Sequence, residues 1–245
     1  MGSLIDRTIL VTGAGAGIGR AISRGLALEG ATVILLDKQT AAIESLYDEI
    51  EAGGGAEPAL YPMDLLGATQ RDYLDLAERL EENLGALHGL IHNAAYLGFL
   101  SRIDDHDPEL WFRTLQVNLN APFLMTQACM PLLRAADDAS VVFTSDAVGR
   151  HGRAYWGAYA ASKAGVENLA QVLADELRDS SKIRVNTLDP GPVRTALRTR
   201  TYPGEDPQEV KPPESVVPLF LWLMGPESVG VTGRAMSFED MPHLP

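Results

Sequence analysis

The chain has 245 residues, of which 46% are hydrophobic and 22% charged; 20 basic side chains face 33 acidic ones, a net charge of −13. At 26.4 kDa and a mean hydropathy of −0.02, it is long enough to bury one sizeable α/β core and too apolar for a disordered or fibrous chain. The acidic balance excludes nucleic acid and anionic membrane as natural partners, because such a surface repels phosphate.

The single cysteine, Cys129, cannot form an internal disulfide and lies in an apolar run, so a buried thiol is expected. No apolar stretch approaches the ~20 residues of a membrane span. The N-terminal residues lack the apolar core of a signal peptide and read almost at once as a strand. A cytoplasmic protein is expected.

In chain order, the first expected strand covers residues 8–11 and leads into Thr12-Gly13-Ala14-Gly15-Ala16-Gly17-Ile18-Gly19, with a helix-period segment over 18–29. Strand, glycine turn and helix in that order form a phosphate cradle, since glycines allow close backbone approach and the helix start offers free N–H groups. The spacing is TGxxxGxG rather than GxGxxG, because positions 18 and 20 are Ile18 and Arg20.

The second strand, 32–36, is followed by Asp37, 24 residues beyond Gly13. A carboxylate there accepts from both ribose hydroxyls and repels a 2′-phosphate, favouring NAD over NADP; Lys38 beside it weakens the discrimination. The alternative is that Asp37 caps the next helix, 41–52. After the third strand, 59–63, Asp64 either accepts from an adenine amino group or caps the helix at 68–84. The fourth strand, 87–91, precedes His92-Asn93-Ala94-Ala95, where the Asn93 amide can bridge strand ends. His88 and His92 on a strand stand about 13 Å apart, so no metal site is expected.

A helix is expected over 110–133, a strand over 140–144 and a helix over 159–178 carrying Tyr159 and Lys163 on one face. A phenol titrates near 10, and a neighbouring ammonium favours its phenolate, so the lysine would tune the tyrosine. A sixth strand, 183–188, precedes PGPVRT, and a seventh lies near 234–238. Residues 199–215, rich in proline and charge, read as a mobile loop over a site. Consecutive apolar positions in TVILL and SVVFT require helices on both faces of a parallel sheet. One domain over 1–245 is expected.

TGxxxGxG, VNLNA, YxxxK and PGPVRT together resemble the motifs of the short-chain dehydrogenase/reductase family over nearly the whole chain. The resemblance implies a Rossmann-type, doubly wound seven-stranded parallel sheet ordered 3-2-1-4-5-6-7. It maps TGxxxGxG to Gly13, Gly17 and Gly19 and the NNAG element to His92–Ala95, and counts Ala16, Ile18, Asp37, Asp64, Leu65, Asn93 and Ala94 with them as cofactor-binding residues. Pro190, Gly191, Val193 and Thr195 fall at the nicotinamide carboxamide, and Tyr159 and Lys163 also touch the cofactor. Asn118 would hold a water in a proton relay. Structure alone would make Asn118 a polar helix residue, Pro190-Gly191 a turn and Thr195 a cap. A homodimer or homotetramer through 110–133 and 159–178 is implied.

Three departures stand out. The family's carbonyl-orienting serine falls 13 residues before its tyrosine, where this chain has Asp146; Ser145 is one residue off. The NNAG element lacks its first asparagine and final glycine, and the usual DGG finish is missing. Arg150, His151 and Arg153 are the nearby groups able to neutralise Asp146.

The expected function is NAD-dependent hydride transfer to or from a small alcohol or carbonyl substrate, with Tyr159 moving the proton and Lys163, Asn118, Ser145 and Asp146 around it. Asp146 motivates the alternative of a catalytically weak NAD-binding sensor or assembly protein. Epimerase or dehydratase chemistry on a sugar nucleotide is less favoured, since such relatives are longer. Tyr96, Phe99, Tyr155 and Trp156 point to an apolar or aromatic pocket, while Arg150 and Arg153 would suit an acid group.

Overall fold

All seven aliphatic runs form strands and lie parallel in one sheet ordered β3-β2-β1-β4-β5-β6-β7. The computed structural model describes residues 3–243, so the first two and last two positions of the expected domain lie outside the described residues. β1 (Thr8–Thr12) pairs with β2 (Thr32–Asp37) on one side, Leu10 opposite Ile34, and with β4 (Gly89–His92) on the other, Leu10 opposite Leu90. β3 is Ala59–Pro62, β5 Ser140–Thr144, β6 Arg184–Asp189 and β7 Ala235–Ser237. Strand order reverses between β1 and β4, which opens a crevice at their carboxyl ends.

Successive β1 side chains point to opposite faces. Leu10 joins a core with Tyr73 of α3 (Gln70–Leu84), Met125 of α5 (Ala121–Ala135) and Val166 of α7 (Gly157–Leu177). Ile9 and Val11 join a second core with Ile22 of α1 (Gly17–Leu28), Ile43 of α2 (Thr40–Ala52) and Phe220 of α9 (Val217–Met224). Both faces are therefore covered, as the apolar runs require. Cys129 is fully buried in the first core, and burial pushes its thiol up to about 12.

The expected helix over 110–133 is interrupted. It becomes α4 (Pro108–Leu115), a π-helical turn (Gln116–Asn120) and α5. Pro122 has no N–H for the Asn118 carbonyl, so regular α pairing cannot continue there. The segment 199–215 is not an open loop. Its start lies in α8 (Ala196–Thr201), short turns follow at Pro207–Glu209 and Pro213–Val216, and Val210 is buried. Arg198 and Glu205 clamp it at 2.6 Å.

At the amino ends of the strands lies a buried ionic clasp. Arg184, 3% exposed, meets Asp138 at 3.0 Å and donates to the Leu223 and Gly225 carbonyls at 3.2 Å. Asp138 also holds Arg7, just before β1, at 3.0 Å.

Candidate active site

The glycine turn leaves β1 at Gly13, whose φ is +67°; a Cβ there would come within 2.9 Å of the Ala94 Cα. Asn93 bridges strand ends as expected, its Nδ2 donating to the Thr12 carbonyl at 3.1 Å. Thr12 Oγ1 in turn accepts from the Asn93 and Ala94 amides, both at 3.0 Å. Ala16 precedes α1 without a side-chain cap, and the first turn holds no acidic residue. Its N–H groups are thus left for an anionic ligand. Gly17, at φ +52°, faces the Thr195 methyl, 3.1 Å from where a Cβ would sit. Ile18 is half-buried and Gly19 buried in this turn.

Asp37 ends β2 with Oδ2 accepting from Gly15 at 3.0 Å and Oδ1 from Gln39 at 2.9 Å. It holds the glycine turn and does not cap α2, whose N-cap is Gln39. Asp64 is exposed, accepts from the Leu66 amide at 3.1 Å, and is not a helix cap either, because a Thr69–Asp72 capping box starts α3. Leu65 beside it is buried. At the β6 end, Asp189 accepts from Gly191 at 2.8 Å, bending the chain through Pro190; Val193 is buried, and Thr195 caps α8. The turn and cap readings of these residues are realised, next to the glycine cradle.

Tyr159 and Lys163 share one face of α7 and are both buried. Lys163 Nζ donates to the Thr144 carbonyl at 2.7 Å and lies 5.5 Å from the Tyr159 ring centroid. Burial lowers Lys163 to about 8 against the supporting charges of Asp146, Asp189 and Glu167. Tyr159 is raised well above the usual phenol range, first by burial, then by the charges of Asp146 and Asp189 and a hydrogen bond to Asp146. Burial and two carboxylates thus outweigh one ammonium.

Asn118 is buried on the π-turn. Its Oδ1 accepts from the Tyr96 amide at 2.7 Å, and its Nδ2 donates to the Tyr96 carbonyl at 2.9 Å and to Ser162 Oγ at 3.0 Å. Ser162 donates onward to the Tyr159 carbonyl at 2.7 Å. The Asn118 side chain is therefore a clamp on the Tyr96 loop and on α7.

Asp146 starts the short helix α6 (Ala147–Arg150), accepting from Val148 at 3.0 Å. Ser145 is buried, its amide donating to the Leu188 carbonyl at 2.7 Å, and its hydroxyl and that of Thr144 find no partner among the described residues. The expected counter-charges are otherwise engaged. Arg150 pairs with Glu167 at 2.9 Å and donates to the Met236 carbonyl, while Arg153 donates to the Tyr202 hydroxyl at 2.7 Å. His151 is exposed, and no ion pair to Asp146 occurs among the described residues.

Around Tyr159 pack Leu97, Val148, Trp156, Leu197 and Tyr202. Of the expected pocket aromatics, Trp156 is in place, 5.6 Å from Tyr159 between ring centroids. Phe99 is 70% exposed and Tyr155 58% exposed, and both lie outside this cluster. Leu97 occupies the wall instead, between the expected Tyr96 and Phe99, neither of which joins the cluster. His88 accepts from the Thr8 amide, and His92 pairs with Thr126 at 2.8 Å and stacks on Phe143.

Sequence reasoning missed Asp189, Thr144, Ser162 and Glu167. Asp189 stands immediately before the proline of PGPVRT, a visible signal; Thr144 acts through its carbonyl, for which side-chain chemistry gives no sign.

A tyrosine–lysine pair and a glycine cradle at the carboxyl edge of a doubly wound sheet define a nucleotide-dependent oxidoreductase. A model of short chain dehydrogenases matches residues 7–206, and the chain belongs to that family. The oxidoreductase YciK of Escherichia coli K12 is 46% identical over 239 residues, 98% of this chain and 93% of its own. A short chain dehydrogenase from Shigella flexneri 2a, solved in complex with NADP, has a TM-score of 0.94 at 44% identity, covering 98% of this chain and 100% of that one. Another, from Escherichia coli CFT073 in complex with NADPH, has a TM-score of 0.94 at 46% identity, with coverage of 97% and 98%.

Proposed function

We propose that this chain transfers a hydride between a nicotinamide nucleotide, NAD in preference to NADP, and a small alcohol or carbonyl substrate. The supporting observation is that the buried Tyr159–Lys163 pair, with Lys163 on the last carbonyl of β5, and the uncapped start of α1 after β1 lie at the same carboxyl edge of the sheet. The Gly13–Gly19 turn would hold the pyrophosphate, and Asp37 the ribose. Pro190, Gly191, Val193 and Thr195 would meet the carboxamide. When bound, the nicotinamide supplies or accepts the hydride.

Tyr159 gives a proton to the substrate oxygen or takes one from it. Raised by burial and Asp146, its phenol is protonated at neutral pH and so acts as the acid of carbonyl reduction. Lys163, anchored on Thr144, faces the ring with its ammonium and reaches the nucleotide ribose. Asn118 fixes the Tyr96 loop against α7, holding Tyr159 in place. Asp37 opposes a 2′-phosphate by like charge, while relatives solved with NADP and NADPH make this the first property to measure. In the same reading the enzyme is a cytoplasmic homodimer or homotetramer.

The test is a screen of alcohols, ketones and hydroxy acids with both nucleotides, in oxidised and reduced form. Turnover abolished in Tyr159→Phe, with nucleotide binding kept within a few-fold, supports the reading. The Asp146 charge beside Tyr159 favours a second one, a catalytically weak nucleotide-binding sensor or assembly protein. Nucleotide binding without turnover would select it.

A further inference from the structure

We propose that the same site reduces a protonated carbon–nitrogen double bond, with Asp146 as the residue that selects for it. This rests on the hydride-transfer reading above and extends its substrate class. A carbonyl that accepts hydride gathers negative charge on oxygen, and a carboxylate beside that oxygen opposes the change. A protonated C=N group starts with one positive charge and stays positive until the hydride has been delivered. A carboxylate favours it throughout and keeps the proton on nitrogen.

Three observations place that carboxylate. The first is position: Val148, whose amide donates to Asp146, packs in the cluster around Tyr159, so Asp146 opens the wall of the reaction site. The second is that no salt bridge engages it among the described residues, Lys163 being the one cation whose charge it supports. Arg150 is taken by Glu167 and Arg198 by Glu205, Arg153 donates to the Tyr202 hydroxyl, and Lys163 donates to the Thr144 carbonyl while Asp146 supports its charge. Asp189, on the neighbouring strand end, adds a second carboxylate acting on Tyr159 and Lys163. The third is the pocket wall, where Trp156 stands 5.6 Å from the Tyr159 ring and is the aromatic group beside the reacting atoms, the Tyr202 face being taken by Arg198.

The step balances with a reduced nicotinamide nucleotide as reductant. Hydride adds to the carbon, the C=N π pair becomes the nitrogen lone pair, and the nicotinamide ring is oxidised. The neutral amine so formed then takes a proton from water. Asp146 forms no covalent bond.

The experiment compares methylpyrroline with cyclopentanone as substrates of the full chain with reduced nucleotide, using wild type, Asp146→Asn and Asp146→Ser. Calorimetry in parallel measures methylpyrrolidine against methyltetrahydrofuran on the nucleotide-loaded protein. The expected result is turnover of methylpyrroline by wild type, a loss in kcat/KM of at least about tenfold in both variants, and relatively better ketone turnover. The protonated amine binds wild type more tightly than the ether, and that preference disappears in Asp146→Asn. Ketone turnover without imine turnover overturns the inference and leaves the hydride-transfer reading standing. Equal imine turnover in wild type and both variants overturns the role of Asp146. Nucleotide binding with neither substrate reduced overturns both.

Discussion

Opposing influences meet at the Tyr159 hydroxyl, and their balance predicts a pH profile. Asp146 raises Tyr159 and also supports the charge on Lys163. Replacing Asp146 with Ser therefore lowers the phenol and lowers the ammonium further. The rate of alcohol oxidation should rise at lower pH than in wild type and fall earlier on the alkaline side, as Lys163 loses its proton. Rate profiles across pH 6–10 for both proteins check this; an unshifted alkaline rise would show that Asp146 does not act on the tyrosine. Asp37→Ser should narrow an NAD preference of at least about tenfold, roughly 1.4 kcal/mol, in nucleotide titrations by fluorescence. His92 supplies a stability test. Burial lowers it to about 3, so the unfolded chain binds its proton near 6.5 while the folded chain refuses it. Stability is fully present above about 6.5 and is lost as pH falls toward 3, by up to about 1.4 kcal/mol per pH unit. His88 is lowered too, by burial and Arg7, so the His92 share is the difference between wild-type and His92→Gln melting curves over that range. At this scale the sequence showed Tyr159, Lys163, Gly13 and Asn93, because spacing and strand ends locate them. It did not show Asp189 acting on Tyr159 or Thr144 holding Lys163, since both depend on how β5, β6 and α7 pack in three dimensions.

Among the elements, the π-turn and α8 depart furthest from what periodicity indicates. A continuous apolar period over 110–133 conceals the break, which comes from Pro122 and from the polar grip of Asn118 on the Tyr96 loop. Asn118→Ala leaves the Tyr96 amide and carbonyl and the Ser162 hydroxyl to find new partners in a buried setting. The expected cost is roughly 2–4 kcal/mol together with a fall in kcat, read by denaturant unfolding and steady-state kinetics. Composition sets residues 199–215 apart as a mobile loop, and the structure fastens that segment through Arg198–Glu205 and Arg153–Tyr202. Arg198→Ala should speed amide exchange across this segment. It should cost under about 1 kcal/mol of stability, because that pair is about a quarter exposed on each side. Strand and helix ends shifted by only one or two residues, within the fraying of any helix end.

For the molecule as a whole, the strand order was legible because the apolar runs and the family motifs agree. Assembly is not fixed by the sheet. Phe112, Phe123 and Val172 are exposed on α4, α5 and α7 at 68%, 46% and 47%, while Val166, on the same helix as Val172, is consumed by the core. A homodimer or homotetramer through these helices is the expected outcome. Light scattering at micromolar concentration should return a multiple of 26.4 kDa, and a single species at that mass would remove the assembly proposal.

The clasp of Arg7, Asp138 and Arg184 draws together the entrances to three strands and the end of α9 at the edge of the sheet remote from Tyr159. Strand register is thereby anchored at the edge remote from the candidate site. The loops at the other edge inherit fixed endpoints and are free to vary in length and chemistry. An engineer can treat those loops as exchangeable parts, grafting the Tyr96 or 196–215 segment of another dehydrogenase to change what is accepted, while the scaffold beneath keeps its alignment.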